Sequence, residues 1–244
     1  MVAERVAPAI GDAAQDGWRR PSLALEQRAG IELAELLSNP VYYGLGVPRG
    51  DGRRVLLIPG FMGSDSYLSI LSGWLRRSGY RPAQSGISFN AGSLRWLLGN
   101  VERRCEDLAI KDGGRITVIG HSLGGVFARV MAVSRPDLVE DVVTLGSPLV
   151  GNPRRAAHPM VQALGDALIM GDRAEEERAL ADLSRPLPED VRLTSIYSRQ
   201  DAIVDYRSCL DADPRAQCFE VRGTHVGLAW NASVYRILGR ALAQ

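Results

Sequence analysis

The pentapeptide Gly120-His121-Ser122-Leu123-Gly124 sets a serine between two glycines, directly after the apolar run RITVI (Arg115–Ile119) and before a helical pattern. A serine hydroxyl is a weak nucleophile until a neighbouring base takes its proton, and a sharp strand-to-helix turn is a geometry that exposes it. Glycines allow strand and helix to approach closely around a strained residue. The start of the helix adds backbone N–H groups and the positive end of a dipole. The chemistry implied is acyl transfer through a covalent serine intermediate. A glycine-rich turn carrying an incidental serine would read the same locally, so the partners decide.

The chain has three histidines. His121 adjoins the serine, and the turn is expected to point its side chain elsewhere. His158 falls in an inserted segment, where a solvated or helix-capping role suits it. His225 follows the strand-like QCFEVRG and precedes the last helix, in GTHVGL, where flanking glycines can hold an imidazole over Ser122. It is the favoured base. The carboxylate that orients it is expected at Asp201, in YSRQDAIVDY just after VRLTSIY, with Asp205 as the alternative. Asp141 opens its strand and so belongs at the opposite end of the sheet. A developing oxyanion needs N–H donors. Leu123, the residue after the nucleophile, supplies one. The loop Pro59-Gly60-Phe61-Met62-Gly63 supplies the other, from Phe61, with Met62 one residue along as the alternative.

These residues must be positioned by the elements between them. Apolar residues Leu25, Ala29, Leu33, Leu36 and Leu37 recur at helical spacing after the N-cap candidate Ser22, and Asn39-Pro40 stops that helix. Short apolar runs then alternate with amphipathic stretches. Strands are expected at Arg54–Ile58, within Arg81–Ser88, and at Arg115–Ile119, Val139–Leu145, Val191–Tyr197 and Gln217–Gly223. Helices are expected near Tyr67–Ser78, Ser93–Ile110, Leu123–Ser134 and Val226–Leu242. This alternation predicts an α/β fold, a mostly parallel sheet flanked by helices on both faces. Gly151–Asp190 interrupts it with about forty residues holding Met160, Val161, Leu164, Leu168 and Met170 at helical spacing. Such an insert reads as a helical cap over the site, the alternative being a helix pair packed away from it.

IPGFMGSD, VIGHSLGG, TLGSP, YSRQDAIVD and GTHVGL resemble, in order and spacing, the loops of bacterial lipases and esterases of the α/β-hydrolase superfamily. The likeness runs from about Arg54 to the end, and Pro59 stands where many of those lipases carry histidine. The resemblance implies the α/β-hydrolase fold. It also implies a catalytic triad of Ser122, Asp201 and His225 in that fold's chain order, an oxyanion hole from Phe61 and Leu123, and cleavage of carboxylic esters. Met62, Leu164 and Leu168 are expected to contact the acyl chain. Thioesterase, acyltransferase and amidase chemistry on the same triad, or a non-catalytic binder that kept the pocket, remain the alternatives.

Composition bounds the rest. The 244 residues suit one domain, with residues 1–20 expected to be mobile. The net charge of +1 gives no basic surface for nucleic acid, and the Arg76-Arg77 and Arg103-Arg104 pairs read as solvated helix faces. No run is apolar enough for a membrane span, and the opening residues lack a secretory core, so the cytoplasm is the expected location, with secretion the alternative for a mature chain. No metal-ligand spacing or dinucleotide fingerprint occurs, so neither metal nor cofactor is expected. The expected partner is a small or lipid-like acyl ester, and oligomeric state is left open. Cys105 reads as a packed thiol, whereas Cys209 and Cys218 flank a short loop that a disulfide could close.

Overall fold

The strand RVLLI is buried at every position after Arg54, which a strand covered on both faces requires. Val55 and Leu57 join one apolar cluster while Leu56 and Ile58 join another, following the two-residue alternation of a pleat. A computed structural model describes residues 5–6, 17–170 and 173–244. It builds on this strand a sheet whose parallel members are β1 (Arg54–Ile58), β2 (Arg81–Gln84), β3 (Ile116–His121), β4 (Val139–Leu145), β5 (Arg192–Tyr197) and β6 (Gln217–Glu220). Their spatial order is β6-β5-β4-β3-β1-β2, and the two-residue strand Arg5–Val6 pairs antiparallel with the β6 edge.

Helices cover both faces. On one lie α3 (Leu94–Asp112) and α4 (Leu123–Ser134), which contribute Leu97, Val101, Phe127 and Met131 to the core. On the other lie α1 (Ala29–Ser38), α2 (Ser69–Arg77) and α7 (Ala232–Ala241), with Leu36, Trp74 and Tyr235. The insert forms α5 (Pro159–Leu168) and α6 (Arg173–Ser184). A two-residue ladder, Gly92–Ser93 with Ile169–Met170, pairs the insert with the chain ahead of α3.

Register places the site. Ile58 pairs with Gly120, Gly120 with Thr144, and Thr144 with Ser195, so β1, β3, β4 and β5 reach one edge together. The loops after them, and after β6, all emerge at the carboxyl ends of the strands, where ligands of open parallel sheets bind.

The expected elements are present, with small shifts at their ends. The N-terminal helix starts as a 3₁₀ turn, Leu23–Arg28, capped by Ser22, and ends at Asn39 before Pro40. Its buried stripe differs from the expected one. Ala29, Glu32 and Leu36 are buried, while Leu37 is exposed. The last helix is broken. A 3₁₀ turn, Val226–Trp230, gives way to α7 at Asn231, whose side chain caps the amides of Ser233 and Val234. Cys105, Cys209 and Cys218 are all buried thiols and no disulfide joins them, so the Cys209–Cys218 bridge that the spacing would allow is not formed. Residues 1–4 and 7–16 of the stretch expected to be mobile lie outside the described residues. Its end is tied down: the Trp18 indole donates to the Arg199 carbonyl, and Arg20 to the Ile203 and Ala156 carbonyls.

Candidate active site

Ser122 stands at the turn between β3 and α4 with φ 52° and ψ −122°, a strained conformation for a residue with a side chain. The surrounding glycines make the turn possible. A Cβ on Gly120 would fall 2.3 Å from the Gly124 carbonyl oxygen, and one on Gly124 2.3 Å from the Ile58 carbonyl oxygen. One on Gly125 would meet Ser147 Oγ at 2.0 Å. The start of α4 therefore packs on the sheet at backbone contact, with room for hydrogen atoms alone.

His225 and Asp201 meet across two loops. Nδ1 of His225 lies 2.6 Å from Oδ2 of Asp201, and both side chains are buried. The other carboxylate oxygen accepts from the amides of Ile203, at 2.8 Å, and Val204, at 2.7 Å, which fixes the carboxylate plane. An ionised carboxylate only accepts, so the imidazole proton resides on Nδ1 and Nε2 is left as a base. Burial pulls the His225 pKa down, but the charge and hydrogen bond of Asp201, with Glu26 beyond, outweigh it and hold the imidazole above its ordinary 6.5. Ser122 and His225 line one cleft without a hydrogen bond between them. Contacts of this kind commonly tighten only when substrate enters.

Other histidines and carboxylates take separate places. His158 accepts the Met160 amide on Nδ1, a capping role at the start of α5. Asp205 caps the short turn Tyr206–Cys209 through the Arg207 amide. Asp141 is buried beside Arg192, away from the cleft. His121 departs from expectation, because its side chain points into the site region. Its Nε2 lies 2.9 Å from the His225 carbonyl oxygen and its ring stacks at a tilt on that of His225. Burial lowers its pKa to about 3, so it stays neutral and donates from Nε2.

Backbone donors are set apart by their partners. The Met62 amide donates to the Asn90 carbonyl at 3.0 Å, so it is occupied. Among the described residues, the amides of Phe61 and Leu123 donate to no protein group. Phe61 lines the cleft that holds Ser122, and Leu123 follows Ser122 directly at the start of α4. The cleft measures about 400 Å³ and is lined by Phe61, Met62, Tyr67, Met160, Val161 and Leu164 beside Ser122 and His225. That volume lies within the range of small-ligand pockets. Leu164 thus reaches the cleft, whereas Leu168, just over one turn further along α5, is not among its lining residues. Leu33 and Leu37 of α1 do not line it either.

Sequence reading missed three contributors. Gly146, with φ 57°, lies so close to the dyad that a Cβ there would sit 3.1 Å from His225 Nδ1 and 3.2 Å from Asp201 Oδ2. Glu26 accepts the amides of Ala202, His225 and Val226, and Glu32 accepts the amide and hydroxyl of Thr224. The signal for both glutamates was their helical register: Glu26, Ala29, Glu32 and Leu36 follow one another at three- and four-residue steps.

Comparison with known proteins agrees with this architecture. Residues 107–204 match the model of the PGAP1-like alpha/beta domain. Over 150 residues the chain is 27% identical to the sn-1-specific diacylglycerol lipase ABHD11 of Danio rerio, covering 58% of this chain and 47% of the relative. The chain therefore spans about half the length of that curated relative. Among solved structures it is similar to the lipase BlEst2 of Bacillus licheniformis, with TM-score 0.59 and 13% identity over 81% of this chain and 94% of the other. A monoglyceride lipase of Saccharomyces cerevisiae gives TM-score 0.56 and 13% identity over 82% and 88%.

Proposed function

We propose that this chain, an α/β-hydrolase by fold and lipase/esterase-like in its relatives, is a serine hydrolase that cleaves carboxylic esters of lipid-like substrates. The observation that carries the reading is the Asp201–His225 pair beside a strained serine, with two unengaged amides on the adjoining loops. In this mechanism Nε2 of His225 takes the Ser122 proton as Oγ attacks the ester carbonyl carbon. Asp201 stabilises the imidazolium and keeps its tautomer. The amides of Phe61 and Leu123 bind the tetrahedral oxyanion. Collapse of the intermediate expels the alcohol, which takes its proton from the imidazolium. Water, deprotonated by the same imidazole, then attacks the acyl-enzyme and releases the acid.

The predominantly apolar cleft walls support an acyl chain as the bound group, and the insert acts as the cap that supplies Met160, Val161 and Leu164. The lipases named above fit the same class of substrate. The test is hydrolysis of nitrophenyl esters from acetate to palmitate, with thioester analogues alongside. Ser122→Ala is expected to fold normally and to lose about 10⁴-fold or more in kcat. Ester hydrolysis retained in that variant would refute the reading.

A further inference from the structure

A carboxylate in a fold's interior is expensive to bury and persists where several donors converge on it. The N-terminal segment brings two carboxylates, the buried Glu32 and the half-buried Glu26, to the same place. Glu26 Oε1 accepts the Ala202 amide at 3.1 Å and the His225 amide at 3.0 Å, while Oε2 accepts the Val226 amide at 3.0 Å. Ala202 follows Asp201 directly, so one carboxylate joins the loop of the orienting acid to the loop of the base. Glu32 takes the next donors, the Thr224 amide at 2.9 Å and the Thr224 hydroxyl at 3.1 Å. Its Oε2 fills the space beside Gly227 so closely that a Cβ there would lie 1.4 Å away.

These amides need outside partners. His225 is the N-cap residue of the 3₁₀ turn Val226–Trp230 and its own side chain, committed to Asp201, does not cap it. The first N–H groups of a helical turn lack partners within the turn. Glu26 and Glu32 satisfy Thr224, His225 and Val226 in succession from another element. Arg20 grips the same assembly from the far side by donating to the Ile203 carbonyl at 2.6 Å, and Ile203 in turn donates its amide to Asp201.

We propose that the segment from Arg20 to Glu32 is a brace for the catalytic loops, and that Glu26 is the positioning residue that fixes His225 against Asp201. The inference rests on the assignment of Ser122, Asp201 and His225. Holding the backbone of both residues sets the imidazole's height over Ser122, and misplacement by about 1 Å costs on the order of 100-fold in rate. The brace also has an electrostatic consequence. The charged or titratable groups around the imidazole are Asp201 from the β5–β6 loop, Glu26 and Glu32 from the brace, His121 from β3, and Tyr67 ahead of α2. Glu26 contributes to holding the His225 pKa up, so losing its charge lets the imidazole deprotonate at lower pH.

Glu26→Gln keeps the shape, removes the charge, and turns an N–H donor toward one of the three amides. Nitrophenyl acetate kinetics against pH are expected to show kcat lowered about tenfold or more, KM changed less than about twofold, and the acidic limb of kcat/KM moved to lower pH. Glu35→Gln, on the exposed side of the same helix, is expected to match wild type. A Glu26→Gln enzyme with wild-type kcat and an unmoved limb would overturn the inference. If that variant fails to fold, Glu26→Asp keeps the charge while withdrawing it by one methylene. It is then expected to lower kcat with the limb in place, and wild-type kcat there would overturn the inference equally. Ser122→Ala run in parallel separates the two readings: activity in Ser122→Ala strikes the triad assignment, whereas inactivity there with a wild-type Glu26→Gln strikes only the brace.

Discussion

At the scale of single residues, His225 governs how the proposed activity depends on pH. The base works only when neutral, and its pKa lies above 6.5 because Asp201 favours the imidazolium more than burial opposes it. Activity is therefore expected to fall as pH drops, with the midpoint of the acidic limb above 6.5; a kcat/KM plateau continuing to about pH 5 would contradict it. His121 adds nothing to that limb, since it is neutral down to about 3. Gly146 makes a second prediction. Alanine there would be strained at φ 57° and would meet Leu228 Cδ1 at 2.8 Å and the dyad at just over 3 Å. Gly146→Ala is expected to lower kcat more than tenfold while retaining secondary structure by circular dichroism. The places of Ser122, Asp201 and His225 were legible in the sequence because each sits in a loop just past an apolar run, those of Ser122 and His225 bounded by glycines. Gly146 was not, and Glu26 and Glu32 showed only a shared helical register, because their roles come from contacts across the fold. His121 was misread for a related reason, since the turn alone does not say where the neighbouring histidine goes.

At the scale of elements, the nucleophile turn and the insert differ in how sequence specifies them. RITVIGHSLGG has one local solution, strand into helix at backbone contact, and the structure ends β3 at His121 and starts α4 at Leu123. The insert has no such constraint, and the spacing of its apolar residues did not say which of them would face the cleft. Met160, Val161 and Leu164 line it, and Leu168 falls outside. Replacing Leu164 by serine is thus expected to lower turnover of octanoate and longer esters several-fold relative to acetate, while Leu168→Ser leaves the chain-length profile unchanged. A profile altered by Leu168→Ser and untouched by Leu164→Ser would place the acyl chain elsewhere. The insert is held at its base by the Ala157–Val204 bridge and by the His158 amide on the Ile203 carbonyl, so the loop that carries Asp201 also anchors the insert. The break of the last helix at Asn231 escaped the apolar periodicity, which runs through both parts. What interrupts it is the Asn231 side chain capping the second part.

At the scale of the whole molecule, the parallel sheet collects five loops at one edge, and helices pack on both of its faces. Apolar strands alternating with amphipathic helices made this architecture legible, because a parallel sheet must be buried on both sides. Among the described residues no helix is long and apolar enough to cross a membrane. One buried ion pair ties α4 to distant chain: Arg129 donates to Asp211 and to the carbonyls of Leu183 and Arg185 at the end of α6. Arg129→Met would strand the Asp211 carboxylate, which is fully buried, and is expected to cost about 3–5 kcal/mol in urea unfolding. An unchanged unfolding midpoint would show the pair to be dispensable. The central claim is that Ser122 is the nucleophile of an acyl-transfer site, and it is tested most directly by fluorophosphonate labelling read by peptide mass spectrometry. One adduct is expected, on the peptide that contains Ser122, formed at neutral pH and lost in Ser122→Ala and His225→Ala. Labelling that persists in Ser122→Ala, or maps to another residue in the wild type, would contradict the account.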